Sequence, residues 1–82
     1  MELHLPRCLE RIVPQANMAR YYAASIQETL FGDSALVREW GRIGSPQGQR
    51  RLDLYPSVAI ARRELDKIVA SKMRRGYQLR QS

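Results

Sequence analysis

Ala35-Leu36-Val37-Arg38-Glu39-Trp40-Gly41-Arg42-Ile43-Gly44 is the stretch on which the fold turns. Its branched, aromatic and charged side chains alternate along the chain, which is the pattern of a strand. Turn residues bound it on both sides: Gly32-Asp33-Ser34 ahead of it and Gly44-Ser45-Pro46-Gln47-Gly48 behind it. A strand held between two short turns pairs antiparallel with both of its neighbours.

Those neighbours are strands expected over residues 20–31 and 49–55. In the former, Tyr22, Ala24, Ile26 and Leu30 fall on one face, and Tyr21, Ala23, Ser25, Gln27 and Thr29 on the other. Further upstream, residues 7–13 alternate roughly and read as a first strand. Pro14 stops it, because proline has no N–H to give to a ladder. Asn17 follows in a polar turn.

Downstream, Pro56-Ser57 opens a helix expected over residues 57–75. Ser57 suits the N-cap, where its hydroxyl accepts a backbone N–H of the first turn. Val58, Ala61, Leu65, Ile68 and Lys72 recur at helical spacing, with Val69 beside that stripe. Arg74 and Arg75 sit in the last turn, where cations suit the helix dipole. Gly76 is the natural residue just past the end. Residues 77–80 read as a short final strand or a docked tail.

The expected fold class is therefore α+β: an antiparallel β-sheet of four or more strands in a meander, with one long C-terminal helix packed on one face. Residues 1–6 read as a flexible leader and 7–82 as one domain. The expected core joins Ile26, Val37, Ile43, Leu52 and Leu54 of the sheet to Val58, Ala61, Leu65 and Ile68 of the helix. That register turns Arg38, Trp40 and Arg42 to the uncovered face. It also turns Glu39 toward the helix, where a carboxylate needs a cation, and Lys72 is the candidate.

Composition narrows the function. The chain has 82 residues, enough for one domain with a thin core. Such a core supplies roughly 3–5 kcal/mol of net stability. Twelve arginines and two lysines against eight acidic residues give a net charge of +6. The planar fork of arginine suits phosphate, so an arginine-rich surface fits a polyanion. One cysteine, Cys8, and one histidine, His4, are too few for a Cys/His metal site, and no intramolecular disulfide is possible. Neither a metal nor another cofactor is expected. Cys8 reads as a small packed residue, and a lone cysteine fits a reducing compartment. No signal-peptide pattern and no apolar run of membrane-spanning length occur, so a cytoplasmic protein with no membrane partner is expected. Nothing resembles a catalytic motif: there is no second histidine, nucleophile elbow or phosphate-cradling glycine loop. The expectation is a protein that is not an enzyme.

Arg38, Trp40 and Arg42 share one strand face, so an aromatic ring sits between two guanidinium groups. A ring of this kind stacks on a base or sugar, for roughly 1–3 kcal/mol, while arginines reach phosphates. Trp40 is equally readable as a core residue, since tryptophan is usually well buried. Arg51 shares the face of Arg42, and Arg20 and Tyr21 extend the patch.

Trp40-Gly41-Arg42-Ile43-Gly44 resembles the signature of the WGR domain, found in poly(ADP-ribose) polymerases and in short bacterial proteins. Asn17 is similar to the family's Asn ahead of the second strand, and Tyr22 to its strand aromatic. Gly48 resembles the glycine of the following turn, Ala59 or Ala61 the helix alanine, and Lys72, Gly76 and Tyr77 the family's ending. The resemblance covers residues 7–79. It implies a sheet with a helix packed on it that binds DNA. In the polymerases the motif Trp packs at a DNA terminus and the motif Arg relays damage to a catalytic domain. The resemblance thus makes Trp40 the stacking residue and Arg42 the contact or relay residue. The spacing from Asn17 to the tyrosine pair is longer here than in the polymerases. No polymerase domain is present in this sequence for a relay to act on.

Two readings follow. One is a nucleic-acid-binding module, with DNA (ends or nicks included) or RNA as partner. The other is a protein–protein adaptor, because exposed Trp and Arg are also favoured hot-spot residues.

Overall fold

The computed structural model describes residues 6–80. His4 and nearly all of the expected leader lie outside the described residues. Five strands and one helix follow in chain order: β1 (Arg7–Val13), β2 (Met18–Glu28), β3 (Ser34–Arg42), β4 (Gly48–Tyr55), α1 (Val58–Arg74) and β5 (Gln78–Arg80). The strands form one antiparallel sheet in the order β4-β3-β2-β1-β5. The first four strands are a meander. The chain then crosses one face as α1 and returns beside β1 as β5. The α+β class expected from the sequence is the fold observed.

Local chemistry explains the corners. Pro14–Ala16 makes one turn of 3-10 helix between β1 and β2, and Asn17 closes it in the left-handed region at φ 51°. Gly32, at φ 90°, allows the β2–β3 turn. The Ile60 N–H donates to the Ser57 hydroxyl at 3.3 Å, capping α1 as expected. Such a cap contributes about 1 kcal/mol. At the other end, Gly76 takes φ 98°, its N–H donates to the Met73 carbonyl, and the Tyr77 N–H donates to the Lys72 carbonyl. These two bonds make a Schellman closure that turns Tyr77 back beneath the helix.

The core lies between α1 and one sheet face. Leu9, Tyr22, Ala24, Ile26 and Leu36 pack there against Ala61, Leu65 and Val69. Burying a Leu such as Leu9 or Leu36 stabilises the fold by about 1.5–3 kcal/mol. An ion pair between Arg7 and Asp66, 3.7 Å apart, joins β1 to the helix on the same face.

The expected register of β3 is overturned by one residue. Leu36 and Tyr22 belong to the core, so Arg38, Trp40 and Arg42 share the helix side of the sheet. Val37, Glu39, Gly41 and Ile43 point to the face without a helix. Glu39 pairs with Arg50, at 3.5 Å, and not with Lys72. Val37 is buried all the same, between Ser25 and Leu52 within the far face. Leu52 and Leu54 also fall on that face, 51% and 58% exposed, and do not join the core. Leu30 lies beyond the end of β2 and is exposed, and β2 begins two residues earlier than expected.

The reason is one of lengths. Seventeen helical residues extend about 25 Å, whereas the eleven residues of β2 extend about 36 Å. The helix covers one part of its face and leaves the rest open. Polar residues can therefore sit on the helix side beyond its end, while apolar residues remain on the other face.

Candidate functional site

Three cross-strand rows meet on the helix side of the sheet, near the C-terminal end of α1. The first holds Arg7, Ala24, Arg38 and Arg51. The second holds Leu9, Tyr22, Trp40 and Gln49. The third holds Arg11, Arg20 and Arg42. An aromatic row thus runs between two arginine rows.

In the aromatic row the rings of Tyr22 and Trp40 stack, with centroids 5.8 Å apart and planes inclined by 16°. Lys72, from the last turn of α1, places its Nζ 4.6 Å from the Tyr22 centroid and 5.5 Å from that of Tyr77. The ammonium is held by the negative faces of two rings. The Schellman turn is what brings Tyr77 within reach. Burial, followed by repulsion from Arg75 and Arg38, pushes the Lys72 pKa below its ordinary 10.5.

Tyr22, Trp40 and Lys72 form a ridge with a hollow on each side. One hollow, of about 440 Å³, is lined further by Arg38, Arg51, Ser71 and Arg75. The other, of about 610 Å³, is lined further by Arg20, Arg42, Asn17 and Tyr77.

The two hollows differ in electrostatics. In the first, Asp53 accepts from Arg38 at 3.0 Å and pairs with Arg51 at 3.2 Å. Burial by itself lowers the pKa of Arg38, but the neighbouring Tyr22 hydroxyl and Asp53 carboxylate outweigh that and raise it. Its Nε is buried and has no hydrogen-bond partner among the described residues. In the second hollow, Arg20 and Arg42 form no ion pair among the described residues. Like charges placed opposite each other on paired strands repel.

Of the residues expected from the sequence, Trp40, Arg42, Arg38, Arg51, Arg20 and Lys72 are brought together here. Gly76 and Tyr77 adjoin them, and Gly76 packs against Arg11, whose Nε would lie 3.1 Å from an added Cβ. Asn17 shapes the turn at the rim of the second hollow. Gly44, at φ 87°, belongs to the β3–β4 turn. Tyr21 is among the residues lining the second hollow, but its ring does not stand in the group. It lies on the far face over the paired glycines Gly41 and Gly48. A Cβ on Gly48 would stand 2.5 Å from the Tyr21 hydroxyl, and one on Gly41 would stand 3.2 Å from the same atom. These glycines make room for Tyr21 rather than for a ligand.

The sequence reading did not include Tyr22, Arg11, Arg75 or Asp53 in the site. Counting both strands back from the Gly32 turn pairs Tyr22 with Trp40 and Arg20 with Arg42, and that signal was available. The nearness of Arg75 and Lys72 to Trp40 depends on where the helix ends over the sheet, which no local pattern encodes.

The fold and this site define a small α+β domain whose helix end and sheet enclose an aromatic ridge between cationic hollows. The chain belongs to the WGR domain family, whose model matches residues 5–82. The WGR domain is generally a nucleic-acid-binding module of proteins like the poly(ADP-ribose) polymerases, and a binding domain rather than a catalytic one. An uncharacterized protein of Sinorhizobium fredii, y4dW, is 45% identical over 74 residues, which is 90% of this chain and 36% of that relative. The chain therefore spans about a third of the length of the curated relative it matches. No solved structure matches the chain. Among the described residues, no helix is long and apolar enough to cross a membrane. No group of three or more potential metal-ligating side chains occurs among them.

Proposed function

We propose that this domain binds DNA across the Tyr22–Trp40–Lys72 ridge, on the helix side of the sheet. The observation that carries this reading is the row of Arg11, Arg20 and Arg42 beside the aromatic row. Among the described residues none of these three neighbouring guanidinium groups pairs with a carboxylate, which costs the free protein stability, and a polyanion removes that cost. In this reading Arg20 and Arg42 take phosphates on one side of the ridge. Lys72 and Arg75 take them on the other, and the indole of Trp40 meets a base or sugar between them. Arg38 and Arg51 are partly neutralised by Asp53 and contribute less.

The test is a salt titration of binding to a short duplex. If Arg20, Arg42, Lys72 and Arg75 each neutralise one phosphate, the log–log salt slope is about −3.6. Arg50→Ala lies on the far face and leaves affinity within twofold. A preference for linear duplex over closed circles assigns the indole to a DNA terminus. Absence of binding at low salt overturns the reading.

A further inference from the structure

The edges of the sheet differ in a way that nucleic-acid binding does not explain. β5 is an edge of three residues, and its Arg80 is held by Glu10 at 2.7 Å. β4 is an edge of eight residues, paired with β3 without a break from Gly48 to Tyr55. It contains no proline and no bulge, so a full row of backbone N–H and C=O groups faces outward. Natural edge strands are usually blunted against such pairing. On the far face, the half-exposed Leu52 and Leu54 lie directly beside Val37 and Ala35.

The charges of β4 are self-complementary in one arrangement. Two copies of an edge strand that pair antiparallel about a two-fold axis normal to the sheet place residues symmetrically about one central residue. Centred on Arg51, the pairing opposes two arginines. Centred on Asp53, it opposes two carboxylates. Centred on Leu52, it sets Arg51 opposite Asp53 of the second copy, twice, and Leu52 opposite itself. Opposite charges directly across a ladder are favourable, and like charges are not.

We infer that this chain pairs with a second copy of itself through β4, antiparallel and centred on Leu52, to form a continuous ten-stranded sheet. Leu52 and Leu54 of both copies then merge into one apolar strip on the far face. An axis normal to the sheet keeps both helices on one side, so both Tyr22–Trp40–Lys72 ridges face the same way. The inference does not rest on DNA binding and is tested without nucleic acid.

The experiment is sedimentation equilibrium of the full chain up to about 100 μM, where a Kd of about 10 μM leaves most chains paired. The expected result is twice the monomer mass for the native chain. Leu52→Asp should show monomer mass with an unchanged circular dichroism spectrum. Disulfide trapping checks the register in a Cys8→Ser background, because Cys8 is itself exposed. Leu52→Cys should give a covalent dimer on mild oxidation, since residues directly opposed on paired strands have Cα atoms about 4.5–5.5 Å apart. Leu54→Cys should not, because the register separates the two copies of that position by about 13 Å. A native chain that is monomeric throughout the range, or equal trapping at both positions, overturns the inference.

Discussion

Arg20 and Arg42 stand directly opposite each other on β2 and β3, with Arg11 next in the same row. Neither Arg20 nor Arg42 is paired with a carboxylate among the described residues. Evolution for stability alone would place an acid beside such a row, as it does with Asp53, two residues along β4 from Arg51, which pairs with both Arg38 and Arg51. The uncompensated row is the feature on which the proposed DNA binding rests.

Removing one member of that row should therefore move stability and binding in opposite directions. Arg42→Ala is expected to raise the stability of the free protein by about 0.2–1 kcal/mol, the size of a cross-strand charge effect. It should weaken duplex binding and flatten the salt slope by roughly one unit, because one ionic contact is lost. Chemical denaturation and a salt titration on the same preparation check both signs. Loss of both stability and affinity would mean that Arg42 is a structural residue.

Much of this architecture was legible in the sequence. The bounds of β1, the Ser57 cap, the Gly76 closure and the four-strand meander all follow from local chemistry, because each depends on residues close together in the chain. The facing of β3 was not legible. Both of its faces carry bulk, Val37 and Ile43 on one and Leu36 and Trp40 on the other. The usual rule that charged residues face away from the helix would hold only if the helix covered its whole face. Here α1 stops short, and Arg38, Trp40 and Arg42 share the covered side because they lie along or past its C-terminal end. Trp40 was found by its chemistry, its neighbour Tyr22 is reachable by counting back from the Gly32 turn, and the approach of Lys72 shows only in tertiary contact.

The stacked pair gives a second expectation. Trp40→Phe keeps an aromatic ring against Tyr22 and should leave the fold intact. It should lower duplex affinity by up to about tenfold while leaving the salt slope unchanged, because stacking releases no counterion. Trp40→Ala also removes the packing against Tyr22 and should lower the melting temperature. Fluorescence titration at several salt concentrations separates the two effects. A changed slope in Trp40→Phe would show that the ring orders the arginines rather than meeting the nucleic acid.

The glycine pair yields a test confined to the fold. Gly48→Ala sets a methyl group 2.5 Å from the position of the Tyr21 hydroxyl and 3.1 Å from the Trp40 carbonyl oxygen. Overpacking of this kind costs about 1–3 kcal/mol. Tyr21→Phe removes the hydroxyl and should recover part of that loss in the double variant, giving a coupling energy that denaturation curves can measure. Strict additivity would show that the Trp40 carbonyl, and not Tyr21, is the obstacle.

Lys72 supplies an expectation about pH. Its ammonium is disfavoured by burial and by the nearby Arg75 and Arg38, so its pKa in the folded protein lies below its ordinary 10.5. The folded state thus releases this proton more readily than the unfolded state does. Between the lowered pKa and 10.5 the unfolded chain holds more of the proton, and stability rises with pH through that window. Lys72 is only partly buried, so the gain is small. Binding has the opposite sign. If Lys72 meets a phosphate, duplex affinity falls over the same window as the cation is lost, and complex formation takes up protons there. Lys72→Arg keeps its charge at these pH values and should flatten the alkaline limb of the affinity curve, with other titrating groups common to both proteins. Parallel affinity–pH profiles for the native chain and Lys72→Arg would remove Lys72 from the interface and leave the Arg20–Arg42 side of the ridge as the binding surface.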